Sequence, residues 1–195
     1  MADVTTDPLA RLAGLIREGA ERGAPEPDAM ALATVSAAGA PSVRIVLCRG
    51  VDDRGLRFYT NYESRKGVEL AANAHAAAVF FWPMFDVQVR VEGRAERLTD
   101  AESDEYFFRR PHGHRLSAWV SAQSRPIGSI EALRERAREL TREYAGREVP
   151  RPPYWGGYRL NAEAIEIWTR GADRLHDRRR FERTAGGWDE TRLAP

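Results

Sequence analysis

One cysteine, Cys48, stands among 195 residues. No intrachain disulfide can form, so a reducing compartment is expected and the core must hold the fold. An excess of charge of one sign is also missing. Thirty Lys and Arg face 29 Asp and Glu, leaving a net charge of +1. That balance removes the global argument for a nucleic-acid partner, and any anion site must be a local cluster. The longest apolar stretch, Ala76 to Phe85, is broken by Pro83. It is far short of the roughly 20 residues that cross a bilayer. The opening Met-Ala-Asp-Val-Thr-Thr-Asp lacks the basic start and apolar segment of a signal peptide, so a cytoplasmic protein is expected. The sequence has no Gly-x-Gly-x-x-Gly after a strand, no P-loop, no paired carboxylates and no Ser-His-Asp order. His112 and His114 have no thiol or carboxylate beside them to complete a metal site.

What is present is a hydrophobic fraction of 43% with 30% charged residues. That suits one core and a single domain over 1–195, with residues 1–6 expected to be flexible. Asp7-Pro8 reads as a cap and first turn of a helix carrying Leu9, Leu12 and Ile16. Strands follow at Met30–Val35 and Val43–Cys48 around Ala37-Ala38-Gly39, then at Leu56–Thr60. Ser64 is placed to cap a short helix ending near Asn73, and Ala76–Phe81 reads as a buried strand. Asp86–Arg97 alternates, with Val87, Val89 and Val91 on one face and Gln88, Arg90 and Glu92 on the other. Thr99 and Glu102 spell a capping box for a helix over Asp100–Arg109 that Pro111 ends, and Ser129 opens another helix to about Tyr144. Three strands are expected near Tyr158, Ile165–Trp168 and Leu175–Arg183, and a fourth at Trp188–Leu193 after the Gly186-Gly187 turn. Many antiparallel strands with few helices predict an α+β protein built on a closed or partly closed barrel.

Four polar clusters invite chemistry. Arg44 to Arg49 is a strand with a basic residue at each end. Tyr59-Thr60-Asn61 runs into Ser64-Arg65-Lys66, where cations in a first helical turn oppose the dipole and point to a bound anion. An ordinary solvated first turn is the alternative. Tyr106 and Arg110 lie four apart on one helical face and can clamp a phosphate, though a basic helix end needs no ligand. Arg174, His176 and Arg178 alternate, so on a strand they project together toward an anionic or electron-rich group, or else form a charged edge.

In order along the chain, these clusters resemble the pyridoxamine 5′-phosphate oxidase family. The matching text is Arg44-Ile-Val-Leu-Cys-Arg49, Phe58-Tyr-Thr-Asn-Tyr-Glu-Ser-Arg-Lys66, Gln88-Val-Arg-Val-Glu-Gly93, Glu102-Ser-Asp-Glu-Tyr106, Arg110-Pro111, Gln123-Ser124, Glu148-Val-Pro-Arg-Pro-Pro153, Trp155-Gly-Gly-Tyr158, Arg174-Leu-His-Asp-Arg178 and Arg192-Leu-Ala-Pro195. The resemblance implies an FMN-binding split β-barrel, Greek-key-like with peripheral helices, that forms a homodimer with FMN at the interface. It assigns FMN contacts to Arg44, Ile45, Val46, Leu47, Tyr59, Thr60, Arg65, Lys66, Gln88, Gln123, Ser124, Trp168 and Arg178. Arg65 and Lys66 would hold the FMN phosphate. Tyr106 and Arg110 would grip a substrate phosphate, with Arg49 and His114 beside them. Arg174 and His176 would be the catalytic pair over the substrate ring.

The implied reaction is oxidation of pyridoxamine or pyridoxine 5′-phosphate to pyridoxal 5′-phosphate, with O₂ as acceptor and hydrogen peroxide as product. Departures gather on the substrate side. Arg49 replaces the family's lysine, His114 its phosphate-binding serine and Arg115 the following glutamine, and no Arg-Arg-x-Tyr segment stands before Asp7. These changes keep open a second reading, an FMN-dependent oxidase of a reduced phenazine or another ring. A flavin- or haem-binding module without turnover is a third, against which the retained Arg174 and His176 speak.

Overall fold

Asp7 accepts a hydrogen bond from the Leu9 N–H at 2.9 Å, and Pro8 opens helix α1 (Pro8–Glu21) with its preset φ. The structure, a computed structural model, describes residues 7–195, so the flexibility expected of residues 1–6 lies outside the described residues. Leu9, Leu12 and Leu15 form the buried face of α1. Strands β1 (Ala29–Val35), β2 (Pro41–Leu47), β3 (Gly50–Val51) and β4 (Gly55–Asn61) come next. Helix α2 (Arg65–Ala72) leads to β5 (His75–Trp82) and β6 (Val87–Arg97). Three helices follow, α3 (Asp100–Arg109), α4 (His112–Val120) and α5 (Ile130–Glu143), before β7 (Trp155–Thr169), β8 (Asp177–Thr184) and β9 (Gly187–Arg192).

Every strand pairing is antiparallel, in the order β2-β1-β5-β6-β7-β4-β3, with β8 added to β7 and β9 to β8. β7 is the spine. β6 follows one edge of it over 158–169, while its other edge takes β4 over 155–161 and β8 over 164–169. That fork divides a curled sheet, giving the split barrel with helices at its rim. The predicted alternation of β6 holds. Val87, Val89 and Val91 are buried, while Gln88 and Arg90 are half-buried on the opposite face. Phe58, Phe80, Val89, Leu160 and Ile165 fill the main core, each contributing roughly 1.5–3 kcal/mol by burial. A second cluster, with Phe107, Leu116, Leu140 and Trp155, ties α3, α4 and α5 to the start of β7.

Three expectations change. The strands expected near Tyr158 and at Ile165–Trp168 are one strand of 15 residues. Pro111 ends α3 but also stands at the N-cap of α4, which was not foreseen. Proline costs nothing there because the first helical amides need no intrahelical partner. The strand expected to begin at Leu175 begins at Asp177, which takes Arg174 and His176 off it. Among the described residues no helix is long and apolar enough to cross a membrane.

Candidate functional site

A cleft of about 700 Å³ opens along the free edge of β2. It is walled by the end of β4, the first turn of α2, helices α3 and α4, and the segment 121–124. Among the described residues β2 pairs only with β1, so its outward backbone groups have no strand partner there. Of the predicted FMN contacts, Arg44, Ile45, Val46, Leu47, Tyr59, Thr60, Arg65, Lys66, Gln123 and Ser124 all line this cleft.

Lys66 is its most strained charge. Ser64 caps α2, its side chain accepting from the Gly67 amide, and this directs the first turn at the cleft floor. The Lys66 ammonium is buried and donates to Thr60 Oγ1 at 3.0 Å, Gln123 Oε1 at 3.0 Å and Ser64 Oγ at 3.3 Å. Its hydrogen bonds are satisfied, yet no carboxylate among the described residues neutralises it. Burial, reinforced by the charge of Arg44, pushes it down to about 8. A buried cation without a counter-ion fits an anionic ligand.

Arg44 is held from behind. Its Nη1 donates to Leu32 O at 3.1 Å and Thr34 Oγ1 at 2.6 Å, and its Nη2 donates to Ser42 Oγ and, at 3.2 Å, to Glu69 Oε2. Glu69 lies outside the cleft wall and is 5% exposed. Burial alone would raise its carboxyl, but hydrogen bonds from Ser42, Thr34, Arg65 and Arg44 outweigh it and hold the group at about 2. Glu69 escaped the sequence reading. Its one local signal was its position four residues after Arg65, on the same helical face.

The opposite end of the cleft gathers Arg49, Tyr106, Arg110 and His114. α3 presents Tyr106 and Arg110, and the unforeseen α4 presents His114. The Tyr106 ring stacks on Tyr59 at 3.8 Å between centroids. The Arg110 guanidinium lies over Trp155, 4.6 Å from the ring centroid. Its Nη1 is buried with no hydrogen-bond partner among the described residues. Burial, with the nearby Arg49 charge, lowers the pKa of Arg110 from its ordinary value. Arg49 itself is anchored by Asp28 at 2.8 Å. Two guanidiniums and a tyrosine hydroxyl in one corner suit a phosphate or a carboxylate.

Gln88, Trp168, Arg174, His176 and Arg178 do not line this cleft. Gln88, Trp168 and Arg178 are direct cross-strand neighbours on β6, β7 and β8, so they form one row on the outer sheet face. Arg178 grips the buried Glu166 through Nε at 2.8 Å and Nη2 at 3.2 Å, and Arg90 reaches the same carboxylate at 2.7 Å. Burial tends to raise Glu166, but these arginines, Arg178 first, leave its pKa lowered. The expected projection of Arg174 and His176 from a strand is corrected. Both sit in the turn before β8, with Asp173 and Arg174 in left-handed backbone at φ 51° and 64°. The tight turn needs Gly171, where a Cβ would lie 1.8 Å from the Leu175 carbonyl oxygen. The Gly171 N–H donates to His176 Nδ1 at 3.2 Å, which puts the ring proton on Nε2. The His176 ring packs at 4.6 Å on Trp168, while Arg174 is exposed.

An antiparallel split barrel with a cation-lined cleft on its edge strand defines the class, a barrel of the FMN-binding type. Residues 16–142 match the family described as pyridoxamine 5′-phosphate oxidase, and residues 155–195 match the pyridoxine 5′-phosphate oxidase C-terminal dimerisation region. The chain belongs to the pyridoxamine 5′-phosphate oxidase family and is an oxidase of that kind. It is 50% identical to the pyridoxine/pyridoxamine 5′-phosphate oxidase of Cupriavidus taiwanensis, over 100% of this chain and 92% of that one. It is 48% identical to the enzyme of that name from Salinibacter ruber, over 98% and 91% of the two chains. Among solved structures it resembles PhzG from Burkholderia lata, determined in complex with tetrahydrophenazine-1-carboxylic acid. That match has a TM-score of 0.92 and 35% identity over 99% of this chain and 95% of that one.

Proposed function

We propose that this protein is an FMN-dependent oxidase of pyridoxamine or pyridoxine 5′-phosphate, releasing pyridoxal 5′-phosphate and hydrogen peroxide, with water consumed and ammonia released when the substrate is the amine. The observation that carries the substrate reading is the corner where Arg110 holds a buried, unpartnered Nη1 beside Tyr106 and Arg49. A guanidinium nitrogen removed from water without an acceptor calls for an anionic oxygen from outside the chain. The relatives at 48–50% identity carry that activity in their names, which favours the same substrate here.

The residues present fit FMN. Arg65 and Lys66 would hold its phosphate, since Lys66 has no counter-ion among the described residues and the side chain of Arg65 is 62% exposed. The open edge of β2, with Tyr59, Thr60, Gln123 and Ser124, would take the rest of the molecule on the cleft side. When bound, FMN supplies the acceptor for a hydride equivalent from the substrate carbon and passes the electrons to O₂. The chain's part is orientation and electrostatics. Tyr106 and Arg110 would anchor one end of the substrate. The guanidinium of Arg174 would stabilise negative charge near the reacting carbon. His176, with its proton on Nε2, would position the ring or exchange a proton there.

Gln88, Trp168, Arg174, His176 and Arg178 would reach the cleft of a second copy. Val43 and Ile45 are 68% and 65% exposed on β2, and Phe81, cross-strand from Gln88, is 51% exposed. An apolar strip continuous with the polar row favours burial against a partner. The match of residues 155–195 to a dimerisation region supports a homodimer with FMN at its interface.

The similarity to PhzG and the presence of His114 in the cleft support a second reading, oxidation of a reduced phenazine carboxylate. An aerobic peroxide assay with pyridoxamine phosphate, pyridoxine phosphate and a reduced phenazine carboxylate separates the two. The expected result is turnover of the phosphate esters, with KM rising about tenfold or more in Arg110→Ala. Turnover of the phenazine alone overturns the first reading.

A further inference from the structure

We propose that Glu69 is a positioning residue of the cofactor-phosphate corner, acting through Arg65. The inference rests on the FMN reading above but concerns a residue that never touches the cleft. Arg65 would otherwise be a poor ligand. Its side chain is largely exposed, and a free arginine loses considerable rotamer entropy when it grips anything. Glu69 Oε1 accepts from Arg65 Nε at 2.8 Å. That bond fixes the plane of the guanidinium and leaves both terminal nitrogens without a hydrogen bond to any described residue. The fork is thus presented next to Lys66 on the cleft wall before any ligand arrives.

Glu69 is itself locked. Thr34 and Ser42 donate their hydroxyl protons to Oε2, Ser42 at 2.6 Å, and each hydroxyl accepts from Arg44. All proton directions in this chain therefore run toward the carboxylate. Oε2 is saturated by donors from β1 and β2, so only Oε1 remains for Arg65. The charges also match. Arg44, Arg65 and Lys66 against Glu69 leave a net positive charge of about two, close to what a phosphate monoester brings.

The substitution that isolates this role is Glu69→Gln. Its carbonyl can still accept at the saturated oxygen position, but its amide nitrogen then faces Arg65 Nε–H, donor against donor. The test measures the Kd of the apoprotein for FMN by flavin fluorescence quenching, in the wild type, Glu69→Gln, Arg65→Ala and the double variant. Glu69→Gln is expected to weaken FMN binding about tenfold or more, and to add nothing in the Arg65→Ala background. Unchanged or tighter FMN binding in Glu69→Gln overturns the proposal. So do losses that multiply in the double variant, since these show that Glu69 acts on the fold and not through Arg65. If Glu69→Gln does not fold, Arg65→Lys decides, because lysine keeps the charge but has no fork to orient. FMN binding weakened as in Arg65→Ala supports the proposal, and binding at the wild-type level overturns it. Failure of the wild type to bind FMN refutes the cofactor reading instead, so the two failures are distinguishable.

Discussion

Lys66 gives the site a charge that pH can remove. Its folded value of about 8 lies below the ordinary 10.5. Between those values the unfolded chain keeps a proton that the folded apoprotein has lost, so apoprotein stability rises with pH across that window. On the proposed reading, FMN binding has the opposite slope. The phosphate would pair with the ammonium, so affinity is expected to fall as pH rises through about 8, approaching tenfold per pH unit. Titrating FMN affinity from pH 7 to pH 9.5 should show this fall, and Lys66→Met should remove it. A fall of the same size in Lys66→Met would assign the titration elsewhere. The cations in the first turn of α2 were legible as a candidate anion site because cations at a helix start oppose the dipole. Glu69 was not. Its partners Thr34 and Ser42 are 35 and 27 residues away, and nothing in a linear pattern announces that a β-sheet will close over one carboxylate.

At the scale of elements, α3 sets the corner that holds Tyr106 and Arg110. Thr99 Oγ1 accepts from the Glu102 amide at 3.2 Å and Glu102 Oε2 accepts from the Thr99 amide at 2.9 Å. This reciprocal cap was readable from two residues three apart. Thr99→Ala should cost about 1 kcal/mol in denaturant unfolding, with a shifted midpoint and an unchanged slope. The alternation of β6 and the cap of α2 were readable for the same reason, being local patterns with a fixed period or offset. Helix α4 was hidden because Pro111 signals an end more loudly than a beginning, although it serves as both. The turn at Asp173 and Arg174 was hidden because arginine does not advertise positive φ, although aspartate adopts it more readily than most residues. What fixes it is the close approach of Gly171 to Leu175, and that requires the folded turn to see.

Over the whole molecule, the split barrel exposes an apolar strip where a monomer would gain by covering it. Phe81, next to Gln88 across the strands, is well placed to test the strip. Phe81→Arg should shift sedimentation from dimer to monomer and, with it, lower flavin retention. A variant that stays dimeric with full flavin would place the interface elsewhere. The family and fold were legible because the matching motifs run along nearly the whole chain. The division of those motifs between two surfaces was not, since residue order carries no information about which side of a curled sheet meets which copy.

That division has a consequence in the language of complementation. Arg110 lines the cleft of a chain, while Arg174 sits in the turn beyond its outer row. If each working site takes its cleft from one chain and its row from the other, Arg110→Ala and Arg174→Ala damage opposite halves. A mixed dimer then places both defects in one site and leaves the other whole. Refolding equal amounts of the two weak variants together should restore about a quarter of wild-type sites, from random pairing in a two-fold dimer. Mixtures no better than their parents would mean that each chain serves only itself.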